Sequence, residues 1–295
     1  MSLTIDKAQV EGFQRTVLFV SQQKGTRLRG TLTEEPVTGK RGNAERISKV
    51  EMQQKTGRHA DVPMISTPHS RRRLDIKDWH IRDLIDDPDR AKIIIDAESA
   101  YATNFGFAAG RKIDTEILGA LNGTAVDGDG GSVLFNAGNS PSLDLGAVGG
   151  TLAISDLVQI KARMIQNGVD ANETFFAAIG GAALQDLLNA AVGTAPVVTS
   201  SDYNNVRSLV EGTLTYFVGF NFRILHDELL PLGTGASRYA MFYSSMGGQL
   251  GSQINPNIRI ERVVEKDATQ VLMTSSFGVV RVDETRVARF EHAVP

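Results

Sequence analysis

Five histidines offer this chain its only imidazoles for metal binding or proton transfer: His59, His69, His80, His226 and His292. A zinc protease places two of them one helical turn apart beside a glutamate, and no pair here has that spacing. The loop-borne histidines therefore read as solvated or interface residues. Asp127-Gly128-Asp129-Gly130-Gly131 opens like a calcium loop. An EF-hand, however, needs glycine at its sixth position and a bidentate glutamate at its twelfth. Ser132 and Gly138 stand there instead, which leaves an ordinary turn. Neither a Gly-x-Ser-x-Gly elbow, a Walker loop nor a Gly-x-Gly-x-x-Gly fingerprint occurs. Paired carboxylates such as Asp86 and Asp87 are explained by helix capping. No catalytic, cofactor-binding or metal-ligating residue is assigned, and a hydrolase with an unusual site is a minor alternative.

Arg71-Arg72-Arg73 is the densest basic cluster. Arginines in a row can track phosphates, and each such contact steepens the salt dependence of binding. Asp75, Lys77 and Asp78 follow closely, and only Trp79 is near enough to stack on a base. Contact with a neighbouring subunit is the better reading, with a DNA-binding protein built on residues 24–82 as another alternative. The charge balance supports a protein contact. Residues 1–82 carry 16 Lys/Arg against 9 Asp/Glu (+7), and the remainder carries 15 against 25 (−10), which together make the net −3. Opposed charges of this kind set register and partner choice.

Composition narrows the class further. The absence of cysteine excludes disulfides and thiolate metal sites, and fits a reducing cytoplasm. Leu18-Phe19-Val20 is too short for a secretory h-region, and nothing approaches the roughly 18 apolar residues of a membrane helix, so a soluble protein is expected.

The elements that must carry these residues alternate between polar and apolar stretches. A helix is predicted over 5–23, with Ile5, Ala8, Phe13, Val17 and Val20 on one stripe and Gly25 as its stop. Residues 26–82 are polar, basic and broken by Pro and Gly; Arg46–Val50 and Leu74–Ile76 suggest strands of a long hairpin. The apolar residues there (Ile47, Val50, Met52, Val62, Met64, Ile65) are too sparse for a core, so the hairpin needs something else to pack on. A long helix is predicted from the Asp86-Asp87-Pro88-Asp89 cap to Leu121, stopped by Asn122-Gly123, with Gly106 and Gly110 marking a bend or a close crossing. After a Gly- and Asn-rich loop over 123–150, the grammar alternates. It runs through a helix capped by Ser155, a buried strand over 175–179, a helix over 182–191 and another capped by Asp202. The cleanest β period runs from Thr213 to Ile224, and further strands are predicted at 239–243, 257–264, 269–274 and 277–282.

Several fragments in this order resemble one family. Gln22-Gln23-x-Gly25-Thr26-x-Leu28-Arg29 looks like a segment joining an arm to a loop, and Asp83-x-Ile85-Asp86-x-x-Asp89-x-x-Lys92 like the lead into a spine helix. Ala109-x-Arg111-x-x-Asp114 and Gly123-Thr124-Ala125 resemble the end of that helix. Thr199-Ser200-x-Asp202-Tyr203, Val218-Gly219-Phe220-x-Phe222, Asp267-x-Thr269-Gln270-Val271 and Gly278-Val279-Val280-Arg281 resemble later segments. The series is similar to the tailed-bacteriophage major capsid proteins of the Hong Kong 97 type, over nearly the whole chain.

That resemblance implies an α+β Hong Kong 97-like fold. Its parts would be an N-terminal arm (1–29), an extended β-hairpin loop (30–82), a peripheral domain with the spine helix (83–150 and 266–295) and an α/β axial domain (151–265). It implies a virion protein that assembles with itself into hexamers and pentamers of an icosahedral head around double-stranded DNA, in the host cytoplasm. The loop would lie on the acidic neighbour through Lys40, Arg41, Arg46, Lys49, Arg58, Arg71, Arg72 and Arg73. Reversing charge at Arg71, Arg72 and Arg73 is expected to impair assembly and leave the subunit folded. No room is seen before the arm for a scaffolding segment, so a separate scaffolding protein is expected, beside a portal, cement or decoration proteins and nonspecific DNA contact. No cofactor, membrane or catalytic role is implied. An encapsulin-type nanocompartment shell shares the fold and is the alternative.

Overall fold

The computed structural model describes residues 21–55, 57–58, 62, 64–86, 97–192 and 215–294. Strand β1 (Thr33–Pro36) leads to β2 (Arg41–Ile47), β3 (His69–Asp75) and β4 (Lys77–Asp86). A 26-residue helix, α1 (Ala97–Asn122), follows, then the short strands β5 (Ala125–Val126), β6 (Ser132–Val133) and β7 (Asp144–Gly146). The alternating stretch comprises α2 (Ile154–Gln166), β8 (Phe175–Ile179), α3 (Gly181–Val192), β9 (Tyr216–Phe217) and β10 (Phe220–Ile224). The chain closes with β11 (Ser237–Ser244), β12 (Gly248–Val263), β13 (Ala268–Arg281) and β14 (Val287–Ala293).

Two sheets organise this mixed α+β chain. The larger has the order β7-β14-β11-β8-β10-β9, and the smaller β1-β12-β13-β4. Strand β8 shows why both faces of the larger sheet are buried. All five of its residues are apolar, and a strand sends alternate side chains to opposite faces. Phe175, Ala177 and Ile179 enter a cluster with Leu157, Ile160 and Met164 of α2 and Ala183 and Leu187 of α3. Phe176 and Ala178 enter a second cluster with Ile117, Leu118 and Leu121 of α1. A side chain such as Phe175, fully buried, stabilises by about 1.5–3 kcal/mol relative to exposure. Helix α1 also covers the smaller sheet: Phe105 packs with Ile85, Val271 and Met273. Helix α1 therefore ties both sheets together.

Several sequence expectations are corrected here. The period over 213–224 is not one strand: Val218 and Gly219 both have positive φ (50° and 80°) and turn the chain between β9 and β10. Such two-residue turns suit hairpin twist, but Tyr216, Val218 and Phe220 keep an even alternation straight through the turn. The strands expected at 269–274 and 277–282 are a single β13, because Ser275 and Ser276 are buried and pair with Trp79 and Asp78 of β4. Helix α2 is capped from Ala153, with the Asp156 carboxylate accepting the Ala153 N–H at 2.9 Å, so Ser155 lies inside the first turn. Strand β14 had no forecast. Asp86 ends β4, whereas 87–96, the Asp202 helix, the Thr199–Tyr203 segment and most of the arm helix lie outside the described residues. Residues 21–23 are not helical.

The sheets also cut across the expected domain bounds. β4 runs through residue 82; β12 hydrogen-bonds β13 over thirteen register pairs, and β14 pairs with β11. His292, to which the sequence gives no role, is fully buried on β14. Burial pushes its imidazole below the ordinary value near 6.5, with Asp227 and Asp186 opposing the shift. The unfolded chain therefore takes up this proton before the folded one does, and stability declines as pH falls below about 6.5. Thermal melts at about pH 7.5 and about pH 5.5 should show a smaller loss of Tm on acidification in His292→Phe than in the unaltered chain.

Candidate assembly site

The β2–β3 hairpin pairs antiparallel from Arg41↔Asp75 to Ile47↔His69, and makes almost no core of its own. What fixes it to the body is a buried charge network. The Arg72 guanidinium donates to both Glu284 oxygens at 3.1 and 3.2 Å and to Asp127 at 3.0 Å. Arg46 of β2 reaches the same Glu284 at 3.5 Å and Asp283 at 3.7 Å. Arg281, at the end of β13, lies 3.8 Å from Glu284 and donates to the carbonyls of Leu121, Gly123 and Val133. Burial pushes the Arg281 guanidinium below its ordinary value, and the Glu284 charge opposes that shift. A cation on the last carbonyls of α1 also complements the helix dipole. Leu74 beside Ala44 and Val280 supplies the apolar contact beneath.

A second lock holds the arm exit. Asp114 of α1 is fully buried, and its carboxylate accepts from the backbone N–H groups of Arg27 and Leu28 (2.9 and 3.1 Å), from Gln23 Nε2 (2.6 Å) and from Thr26 Oγ1. Gly110, one turn earlier, makes the approach possible: a Cβ there would stand 2.4 Å from the Gly25 carbonyl carbon. This is the close crossing forecast for Gly110, whereas Gly106 faces open space. Leu28 then inserts among Ile113, Ile117 and Leu121.

The eight basic residues expected to meet a neighbour thus divide. Arg72 and Arg46 are spent on Glu284, and Arg41 and Arg73 pair with Asp75 at 3.1 Å each. Arg71 makes only an exposed pair with Glu45, and Lys40, Lys49 and Arg58 form no ion pair among the described residues. The triple reversal at Arg71, Arg72 and Arg73 would also remove the buried Arg72–Glu284 contact, so it does not act on the surface of the hairpin alone. The acidic turn at Asp127 serves Arg72, and among the described residues no cluster of three His, Asp or Glu could hold a metal.

Beyond the lock the hairpin is open. Met52 and Met64 are 100% and 96% exposed, and Ile47, Val50, Val62 and Ile65 are exposed too. On the body, a groove of about 270 Å³ lies between α1 and the smaller sheet, lined by Trp79, Ile81, Ala108, Ala109, Lys112 and Met273. Lys112 Nζ sits 3.9 Å over the Trp79 ring, and the buried indole N–H has no acceptor among the described residues.

Sequence reasoning missed Glu284 and Asp114. Asp114 had a signal: it falls on the same stripe as Leu118 and Leu121, where a carboxylate needs a partner. Glu284 had none, since its Arg72 partner lies 212 positions away. Removing one partner of a buried pair costs about 3–5 kcal/mol, against less than about 0.5 kcal/mol at an ordinary surface site. Chemical denaturation should find Glu284→Gln destabilised by about 3 kcal/mol and Arg71→Ala within about 0.5 kcal/mol of the unaltered chain.

Against known proteins, the chain is similar in structure to the capsid of cyanophage P-SCSP1u (11% identity, TM-score 0.71, 99% of this chain and 95% of that one). It is likewise similar to the capsid asymmetric unit of cyanophage Pam1 (13% identity, TM-score 0.70, 97% of each chain). A protein of Mycobacterium phage Che8 gives 15% identity and a TM-score of 0.65, over 95% of this chain and 96% of that one. No curated protein matches the chain by sequence. At these identities the likenesses establish a shared fold, the Hong Kong 97-like one. The family of phage capsid proteins, by contrast, matches residues 5–294 in sequence, and the chain belongs to it, as a major capsid protein forming the shell of a bacteriophage.

Proposed function

We propose that copies of this chain assemble as hexamers and pentamers of an icosahedral head around double-stranded DNA, and that the hairpin tip is the part each copy lends to its neighbour. The observation that carries this is the split character of residues 41–75. The base of the hairpin is locked by Glu284, whereas its tip exposes Met52 and Met64 almost completely. An isolated chain gains nothing from an ordered platform that presents bare apolar side chains to water. A neighbour that covers them does. The groove beside Trp79 offers a largely apolar lining for such a contact, with Lys112 among the residues that line it.

The working parts of this reading are an arm (1–29), a loop (30–82), a peripheral part (83–150 with 266–295) and an axial part (151–265). In this reading the protein works as a structural subunit and not as an enzyme. It assembles in the host cytoplasm with a separate scaffolding protein and a portal, takes cement or decoration proteins on its outside, and touches packaged DNA without sequence preference. Among the described residues no helix is long and apolar enough to cross a membrane. An encapsulin-type shell draws no support from the family match.

Met52→Ser with Met64→Ser tests the role of the tip. Both side chains lie outside the core, so the melting temperature of the unassembled chain should stay unchanged. Particle yield, counted in negative-stain images, should fall at least about tenfold, as expected for a loss near 1.4 kcal/mol per contact. Normal particle yield from this double variant would remove the tip from the interface.

A further inference from the structure

Strand β12 is sixteen residues long, yet β1 covers only Gln249–Ser252 of its outer edge. From Asn257 to Val263 its inner side pairs with β13, and among the described residues no strand lies on the outer side. An edge this long, with no strand paired to its outer side among the described residues, is a template for another strand. Proteins usually blunt such edges with proline, lysine or a bulge. Here Pro256 and the register shift between Ile254 and Asn257 precede the stretch and leave it regular.

The two faces of this edge carry different chemistry. Ile258 lies opposite Met273 and Ile260 opposite Val271, so both isoleucines share the face that α1 covers through Phe105. They extend the apolar strip past the helix and stay 36% and 47% exposed. The other face presents Arg259 and Glu261, both exposed.

The order Ile258-Arg259-Ile260-Glu261 is self-complementary. We infer that the outer edge of β12 pairs antiparallel with the same edge of a second copy, about a twofold axis through Ile260, joining two four-stranded sheets into one. That axis sets Arg259 opposite the second copy's Glu261 and Glu261 opposite its Arg259, while Ile260 meets Ile260. No other nearby register does this. An axis at residue 259 or 261 stacks arginine on arginine or glutamate on glutamate, and like charges directly opposite are destabilising. An axis between residues 259 and 260 sets Ile260 opposite Arg259 and Ile258 opposite Glu261, because a one-residue slip exchanges the faces. One between 260 and 261 sets Ile260 opposite Glu261 and Arg259 opposite Arg262. The axis at 260 sets only Ile258 opposite a charge, that of Arg262. Parallel pairing in register stacks every like charge. The partner is therefore this chain itself, and the contact is isologous.

The inference rests on the shell reading, which brings many copies side by side. The chain has no cysteine, so a single introduced one reports alone. In particles assembled from full-length Ile260→Cys and mildly oxidised, facing Cα atoms stand about 4.5–5.5 Å apart, within disulfide reach. A non-reducing gel should show a covalent dimer. Val263→Cys, about 20 Å from its twin at ~3.3 Å per residue, should not cross-link. Independently, Arg259→Glu or Glu261→Arg alone should lower particle yield at least about tenfold, and the two together should restore it, since the swap regenerates both pairs. Particles of Ile260→Cys without the dimer, or a double variant no better than the singles, overturn the twofold seam and leave the shell reading intact. If the unaltered chain forms no particles under any assembly condition, the shell reading itself fails and takes the seam with it.

Discussion

The Glu284 carboxylate collects three arginines: Arg46 and Arg72 from the hairpin strands, both remote in sequence, and Arg281 three residues before it at the end of β13. Taking these charges from water is costly, and only their mutual pairing with further hydrogen bonds offsets that cost. The network is nearly complete. Asp127 and Asp283 add negative charge, and the carbonyls of Leu121, Gly123 and Val133 take the Arg281 Nη donors, whereas the Nε groups of Arg72 and Arg281 have no hydrogen-bond acceptor among the described residues. Its value lies in position more than in stability. It fixes a hairpin that has no core of its own, at a defined angle to the helix on which both sheets rest.

Seen from that lock, the basic character of residues 1–82 acquires a different meaning. The excess of arginine there reads from the sequence as a surface for the next subunit. Five of the eight residues concerned instead pair within the chain, and only Lys40, Lys49 and Arg58 form no ion pair among the described residues. Apolar exposure at Met52 and Met64, rather than arginine, distinguishes the tip. The arm follows the same principle. Asp114 and Gly110 hold its exit, from Gln23 to Leu28, against α1.

Much of the fold was legible because it rests on local rules. The apolar run 175–179 marks a strand buried on both faces, and the stop at Asn122-Gly123 marks the end of the spine helix. Where local pattern and tertiary context disagree, the sequence misleads. Ser275 and Ser276 look like a break between strands, yet β4 pairs them; Val218 continues an alternation across a turn with positive φ. The site was the least legible part, since a carboxylate whose arginine partner is 212 positions distant leaves no spacing to detect. The motif resemblance did include Asp114 and Arg281, but without their roles.

The central claim is that the hairpin base is held by its own chain and the tip only by assembly. Amide hydrogen exchange, followed residue by residue in unassembled chain and in particles, tests it most directly, because slow exchange reports stable backbone bonding. Residues 41–47 and 69–75 should be protected in both states, and residues 48–55 and 64–68 only in particles. A hairpin base that exchanges freely until particles form would contradict the account, and so would a tip equally protected before assembly.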